Sequence, residues 1–170
     1  MHTICNIFII YNHGQNDSII VSMEGIMKFS KATNYALHTL VHLAAVPKGK
    51  AMGVKPLAES QGLSQAYLSK ILATLVKGNL IESSPGVDGG YKLQKGANEI
   101  TFLHVIELIE GKRTMFQCDI NHHTESSDCL IQQVMDDAEH TLKHFLTTKT
   151  IQDIAMKVDH SEEKHITKNI

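Results

Sequence analysis

Residues 62–93 read GLSQAYLSKILATLVKGNLIESSPGVDGGYKL, and this stretch decides the fold. Ser64 is a residue type that caps helices, and the apolar residues after it recur at helical spacing, so we predict a helix over about 64–77. Gly78 then fits the left-handed position that follows a helix end. The side chains expected to face inward are Leu68, Ile71, Leu72, Leu75 and Val76.

A shorter helix is predicted just before this one, over about 56–61. It has Pro56 near its first turn and Gly62 as its stop. Only Gly62 and Leu63 then precede the cap of the next helix. A joint this short between two helices is typical of a helix-turn-helix.

The second half of the quoted stretch predicts a hairpin. A strand-like run over 80–83 is followed by a Gly-rich turn over 85–90 and by a second short strand over 91–93. A hairpin directly after a helix-turn-helix makes it a winged variant.

Two further helices flank this unit. Ser30 can cap a helix that runs to about residue 45, and Thr101 can cap one over 102–110 that ends at Gly111. The apolar face of the first comprises Ala36, Leu37, Leu40, Val41 and Ala44. The predicted fold is therefore mainly α, a winged helix-turn-helix domain.

A long C-terminal helix is indicated by apolar residues at three- and four-residue steps. They are Leu130, Ile131, Val134, Met135, Ala138, Leu142 and Phe145. This stripe needs a partner. Packing against the same helix of a second copy would make it a dimerisation helix in a homodimer, and the alternative is packing against its own domain.

The chain divides into five parts on this interpretation. Residues 1–26 are a leader, 27–111 the winged helix-turn-helix domain, 112–128 a polar, irregular loop, 129–158 the dimerisation helix and tail, and 159–170 a disordered end. The leader is apolar without helical period, and we predict that translation starts at Met27 and that the leader is not native. The alternative is a genuine strand-like arm.

Charge is distributed unevenly. The block 28–95 holds nine lysines against three acids, a net charge of +6, whereas the whole chain has −2. Because a phosphate backbone responds to local positive potential, this block indicates a nucleic-acid module attached to an acidic remainder.

Composition excludes several classes. No run approaches the length of a transmembrane span, the first residues lack the features of a signal peptide, and three cysteines are too few for a secreted disulfide framework. We therefore expect a cytoplasmic protein that is not associated with a membrane.

The N-terminal end of the predicted recognition helix carries groups that suit DNA. Gln65, Ala66, Ser69 and Lys70 face outward where helix-turn-helix proteins enter the major groove. Gln pairs with adenine edges and Lys with guanine acceptors, while Ser64 and Ser69 suit bases or phosphate. A solvated helix face is the alternative, but the adjoining wing and the basic block favour duplex DNA.

Three segments together resemble the Rrf2 family of winged-helix transcription regulators: MKFSKATNYALHTLVHLA, LSQAYLSKILATLVKGNLI and the GGYKL wing. The similarity covers residues 27 to about 150 and implies a homodimer that binds a partly palindromic operator and usually represses. It carries DNA contacts onto Ser64, Ala66, Tyr67, Ser69 and Lys70, and onto a wing that includes Gly89, Gly90 and Tyr91.

One position departs from the family pattern. Many members have Arg at the head of the wing motif, where this chain has Pro85. Lysines such as Lys31, Lys92 and Lys95 are expected to make the backbone contacts instead, which makes an altered operator preference plausible.

The irregular loop 112–128 is expected to be a sensory loop in the DNA-binding protein. It contains Cys118, and Cys129 starts the long helix, where the helix N-terminus favours thiolate. Metal-binding members of the family place three cysteines here, and this chain lacks the middle one. A [2Fe–2S] cluster needs four ligands. The resemblance implies that His38 of a second subunit contributes one, whereas Asn34 and Gln132 stand at other ligand positions.

His122 and His123, between the two cysteines, could substitute. Three readings stay open for this segment: an iron–sulfur cluster, a thiol switch without a cofactor, and no sensing role.

The predicted function is a dimeric, sequence-specific DNA-binding transcription regulator that acts as a repressor. We expect no enzyme, because the chain has no nucleophile motif, phosphate-binding loop or close acid pair. Cys118 and Cys129 would sense redox state, nitric oxide or an iron–sulfur cluster. The alternative is a winged-helix module that binds another protein and has no sensing cofactor.

Overall fold

The computed structural model of the protein describes residues 29–47, 50–86, 89–118 and 129–166, with the backbone alone for 159–166. The predicted leader over 1–26 lies outside these residues. The described elements are α1 (Lys31–Ala44), α2 (Val54–Ser60), α3 (Gln65–Lys77), β1 (Ile81–Ser84), β2 (Gly90–Leu93), α4 (Phe102–Glu110), α5 (Leu130–Thr148) and α6 (Ile151–Ile166). The predicted winged helix-turn-helix is confirmed.

The three predicted N-caps are present. Ser30, Ser64 and Thr101 each accept a hydrogen bond from the backbone N–H three residues farther along the chain. This contact satisfies one of the amides that the first helical turn leaves without a partner. The caps therefore place the starts of α1, α3 and α4 where the sequence predicts them.

The end of α3 differs from the prediction. Gly78 has φ −78°, and the left-handed residue is Asn79 with φ 55°. The assignment of Gly78 to the left-handed position is therefore wrong. Glycine allows close packing there, because a Cβ at Gly78 would lie 2.3 Å from Cδ2 of Leu108 on α4 and this side chain would have to shift.

The hydrophobic core lies between α1, α2, α3 and α4 and extends to the start of α6. Its fully buried large side chains include Leu40, Leu57, Leu68, Leu72, Leu75, Leu80, Ile81, Ile100 and Ile151. The inward face predicted for α3 is confirmed, with Val76 half-buried at its edge. This core supports α3 from behind and leaves its outer face free.

The wing is an antiparallel pair in which Ile81 is opposite Leu93 and Ser84 is opposite Gly90. A bridge that the sequence did not predict extends it, because Met52 and Tyr91 exchange backbone hydrogen bonds of 2.9 Å in both directions. The segment before α2 therefore joins the wing to the helix-turn-helix.

The two C-terminal helices contact the winged helix-turn-helix domain at different places. One side of α5 packs against α4, and α6 packs against α1. The return is fixed by backbone bonds, since Phe102 N–H donates to Lys149 O and Ile151 N–H donates to Ile100 O. Ile151 is fully buried, so α6 begins inside the core of the DNA-binding domain.

The predicted limits of this part need correction. Helix α6 runs to Ile166 and so extends into the part from 159 onward that was expected to be disordered. Ser161 to Glu163 and Lys164 to Ile166 are polar for the most part, which led to the expectation of an unstructured end. Among the helices described, none is long and apolar enough to cross a membrane.

Candidate nucleic-acid interface and cysteine pair

The first turns of α3 present a continuous polar surface. All six positions predicted from the sequence to face outward or to contact DNA are exposed: Ser64, Gln65, Ala66, Tyr67, Ser69 and Lys70. They surround the N-terminal end of the helix, where free amides and the helix dipole attract phosphate. The core residue Leu68 lies between them and turns inward.

Tyr67 is held in place by a second aromatic ring. Its ring meets that of Tyr35 on α1 edge to face, with centroids 5.9 Å apart and an angle of 87°. Such a pair contributes about 0.5–1.5 kcal/mol beyond its buried area. The contact fixes the start of α3 relative to α1 and leaves 38% of Tyr67 exposed.

The turn between α2 and α3 is anchored to α1 by a polar contact. The side chain of Gln61 donates from Nε2 to Oγ1 of the buried Thr39 at 2.8 Å. Gly62 follows with φ 64°, a conformation that suits glycine. The joint of the helix-turn-helix is therefore held by both a hydrogen bond and backbone geometry.

The wing residues predicted to contact DNA have structural functions. A Cβ at Gly90 would lie 2.6 Å from the carbonyl oxygen of Met52, and one at Gly89 would lie 2.4 Å from that of Ser84. Tyr91 packs against the core. The Gly-Gly-Tyr motif thus builds and attaches the wing, whose tip lies partly outside the described residues.

The lysines predicted to contact DNA differ in whether an acidic side chain already pairs with them. Nζ of Lys92 lies 2.9 Å from Oε1 of Glu82 on the facing strand, so part of its charge is already neutralised. Lys31, at the exposed start of α1, and Lys70 have no ion pair in the parts of the chain that the structure describes. These two are therefore better placed than Lys92 to bind phosphate or a base.

Cys118 and Cys129 lie side by side. Their Sγ atoms are 3.7 Å apart, both thiols are free, and both side chains are half-buried. Cys129 occupies the N-cap of α5, as the sequence predicts. The pKa of Cys129 is lowered, first by the backbone amide of Gln132 and then by Cys118 and the amide of Ile131, with burial opposing them.

Gln132 holds Cys118 at this place. Its Oε1 accepts the backbone N–H of Cys118 at 2.8 Å, and its Nε2 donates to Oδ1 of Asp136 at 2.7 Å and to the carbonyl of Phe116 at 3.4 Å. A helix side chain therefore clamps the end of the irregular segment next to Cys129.

A second clamp lies farther along α5. Glu139 is 8% exposed, accepts the backbone N–H of Met115 at 2.8 Å and pairs with Lys143 at 2.6 Å. Lys143 first, and the Met115 amide second, lower the pKa of Glu139. The segment 111–118 is thus attached to α5 at two points.

A third carboxylate joins the base of this segment to α1. Glu110, the last residue of α4, accepts hydrogen bonds from the backbone N–H of Ser30 and from Oγ1 of Thr33. The Thr33 hydroxyl is the main cause of the lowered pKa of Glu110. The start of α1, which carries Lys31, is therefore tied to the residue that precedes segment 111–118.

The residues described do not fit an iron–sulfur cluster within one protomer. No group of three or more His, Cys, Asp or Glu side chains in the described part of the chain is arranged to hold a metal ion. Gln132, which stands at one of the ligand positions expected from the family, is a neutral amide engaged in hydrogen bonds. The cysteine pair supplies two of the four ligands required.

Among the histidine candidates, His38 does not complete the set within one protomer. His38 is exposed on α1, one turn from His42, whose pKa is lowered first by burial and then by His38. His122 and His123 lie outside the described residues. Asn34 is exposed and neutral.

The free side of α5 is apolar. Four of its large apolar side chains are more than half exposed: Leu130, Ile131, Val134 and Phe145. By contrast, Met135 and Leu142 of the predicted stripe are half-buried. The helix therefore uses one part of its apolar stripe within the domain and leaves the other part uncovered.

Comparison with known proteins gives a consistent result. A family model described as Rrf2, iron-dependent transcriptional regulator, matches residues 29–157. The transcriptional regulator NsrR of Bacillus licheniformis is 30% identical over 137 residues, which cover 79% of this chain and 96% of NsrR.

Solved structures of similar fold include two regulators. The oxidized form of CymR from Staphylococcus aureus has a TM-score of 0.61 at 28% identity, covering 76% of this chain and 96% of CymR. IscR from T. potens has a TM-score of 0.64 at 24% identity, covering 79% and 90%, a likeness of fold.

Proposed function

The chain belongs to the Rrf2 family of DNA-binding transcription regulators, and from this premise we propose that it acts as a homodimeric repressor. Its sensory element is the pair Cys118 and Cys129. The protein acts in the cytoplasm, binds duplex DNA through α3 and the wing, and catalyses no reaction.

The observation that carries the DNA-binding assignment is the exposed start of α3. Six polar or small residues project from it, while the core behind it is closed. Lys70 suits guanine and Gln65 suits adenine in the major groove, and Ser64 and Ser69 suit phosphate. Lys31 at the start of α1 adds a cation for the backbone.

Dimer formation is supported by the uncovered face of α5. An apolar helix face of this length is unfavourable in water, and a second copy of the same helix is self-complementary to it. Two recognition helices tethered in this way would read two half-sites, as helix-turn-helix dimers do.

Sensing is supported by the position of the cysteine pair. The segment that ends at Cys118 is clamped to α5, which carries the proposed dimer face, and its base is tied to α1 through Glu110. The two sulfurs therefore lie in a segment that connects α5 with α1, and a chemical change at them could alter how these two helices contribute to operator affinity.

Selection from a random-sequence duplex library with the full chain tests the DNA assignment. We expect a partly palindromic duplex to be enriched, and its affinity, measured by fluorescence anisotropy, to fall steeply with salt because phosphate contacts release counterions. A library that yields no enriched sequence, together with salt-insensitive binding to a protein, would instead identify a protein-interaction module.

The absorption spectrum of protein purified without oxygen tests for a cluster. Visible bands would require two ligands beyond the cysteine pair, from His38, His122 or His123 or from a partner subunit. A colourless protein would leave the thiols as the sensory groups.

A further inference from the structure

We propose that Cys118 and Cys129 form a reversible disulfide within one protomer when the protein meets a hydroperoxide. The proposal rests on the proposed function in one respect, the expected effect of the disulfide on DNA affinity. The chemical step itself follows from the arrangement of the two sulfurs and of Gln132.

The two thiols are already in contact. Their Sγ atoms are 3.7 Å apart, and a disulfide bond is about 2.05 Å long, so the sulfurs need to approach by less than about 2 Å. Both belong to one chain and are eleven positions apart in sequence. Bond formation therefore requires no second subunit.

Cys129 is the nucleophile of the pair. It occupies the N-cap of α5, beside the free backbone amides of the first helical turn, and its side chain is not fully buried. A thiolate with some access to solvent is the form that reacts with peroxides. Cys118 then serves as the resolving cysteine.

The reaction balances in two steps. The Cys129 thiolate attacks the hydroperoxide, an S–O bond forms, the O–O bond breaks, and the leaving oxygen takes up a proton to give an alcohol or water. Cys118 then attacks the sulfenic sulfur, an S–S bond forms, the S–O bond breaks, and hydroxide leaves with the proton of Cys118 as water. Two thiols are oxidised and one peroxide is reduced.

Gln132 is the positioning residue for the second step. Its side-chain oxygen accepts the backbone N–H of Cys118, and its own backbone amide faces Cys129, so one residue contacts both cysteines. Without its side chain, the segment would lose its attachment next to the sulfur. Cys118 would then meet the sulfenic acid less often, although the acid would form as before.

The competing chemistry is metal binding, which needs ligands beyond the pair. The described residues offer no third acidic, His or Cys side chain arranged with the pair to hold a metal ion. Gln132 is committed to the backbone of Cys118 and to Asp136.

The test uses the full chain carrying Cys5→Ser, so that only the pair remains, with hydrogen peroxide as oxidant. Intact-mass analysis should show loss of two hydrogen atoms, peptide mapping should join Cys118 to Cys129, and dithiothreitol should reverse both. Cys118→Ser should stop at a sulfenic acid on Cys129, which dimedone traps. Gln132→Ala should slow disulfide formation several-fold without slowing the loss of the Cys129 thiol.

Three results would overturn the proposal: disulfides only between protomers, sulfinic acid without a disulfide, or visible cluster bands that either Cys→Ser change removes. DNA affinity is measured separately on the selected duplex, and we expect a roughly tenfold difference between the reduced and oxidised forms. An unchanged affinity removes the regulatory role. Absence of DNA binding by the reduced protein refutes the proposed function, whereas a bound duplex without disulfide formation refutes only this inference.

Discussion

The contacts of some side chains can be predicted from the sequence, and those of others cannot. The N-caps Ser30, Ser64 and Thr101 were predictable because each bonds an amide three residues away, so the contact is local. Glu110 and Glu139 were not, because their partners lie 80 and 24 residues away. A carboxylate with a distant amide partner leaves no periodic signal in the sequence.

Lys70 is expected to specify sequence. It is exposed on the first turns of α3, and a lysine contact to guanine typically contributes about 1–3 kcal/mol of discrimination between bases. Lys70→Ala should therefore weaken the selected duplex more than a random duplex in an anisotropy titration. Lys77→Ala, at the other end of the same helix, is the matched control and should change both much less. Equal losses on both duplexes would contradict the groove assignment.

Lys31 and Lys92 should differ in their salt dependence. Lys31→Ala should reduce the slope of log affinity against log salt by about one unit, because one phosphate contact is lost. Lys92→Ala should reduce the slope by less, since Glu82 already pairs with this lysine at 2.9 Å. Glu82→Gln should in turn steepen the slope in the protein that retains Lys92. Equal slopes for the two lysine variants would show that the ion pair between Lys92 and Glu82 opens when DNA binds.

At the scale of elements, helix boundaries followed from the sequence better than helix contacts did. The Gly-rich wing and α3 were placed correctly, but the exchange of hydrogen bonds between Met52 and Tyr91 was not foreseen. Likewise, Gly78 was assigned to the wrong conformation because its function depends on Leu108, an α4 residue. Periodicity locates an element, whereas close approach between elements depends on the whole fold.

The link between α4 and α1 should depend on pH. The pKa of Glu110 is lower in the folded protein than in the unfolded chain, mainly through the Thr33 hydroxyl. Its carboxylate therefore stabilises the fold above the unfolded pKa, and this contribution is lost as pH falls through the folded pKa. Glu110→Gln should reduce the free energy of unfolding by about 1 kcal/mol at neutral pH.

Urea denaturation at several pH values measures this effect. The difference between wild type and Glu110→Gln should shrink as pH falls through the acid range of a carboxylate. Glu59→Gln, at an exposed position on α2 that makes none of these contacts, is the control. A difference that stays constant down to low pH would mean that the Glu110 charge does not support α1.

At the scale of the molecule, the two C-terminal helices differ in how they pack. Helix α6 completes the core, whereas α5 leaves part of its apolar stripe exposed, and the hydrophobic pattern of the sequence does not separate these two cases. Ile151 and Ala155 place α6 in the core beside α1, although the sequence suggested a tail. The stripe on α5 was predicted as a single seam, but the structure divides it between α4 and solvent. Sequence alone could not divide it, because an apolar residue has the same periodicity whichever partner covers it.

The uncovered side of α5 gives the sharpest test of assembly. Val134 is 66% exposed, so Val134→Glu places charge in the proposed dimer interface without disturbing the contact of α5 with α4. Leu142→Glu is a poorer choice, because Leu142 is half-buried and its loss would also affect the domain. Light scattering should report a dimer for wild type and a monomer for Val134→Glu, since a desolvated charge opposes association.

Affinity for the selected duplex should fall with the dimer, because two half-sites are then no longer bound by tethered domains. His140→Glu, on the polar face of the same helix, carries the same new charge and should remain a dimer with unchanged affinity. Circular dichroism should show equal helix content in all three proteins, which separates loss of association from loss of folding. A wild type that is monomeric at micromolar concentration, or a Val134→Glu variant that stays dimeric, would mean that α5 does not form the interface between the two recognition helices.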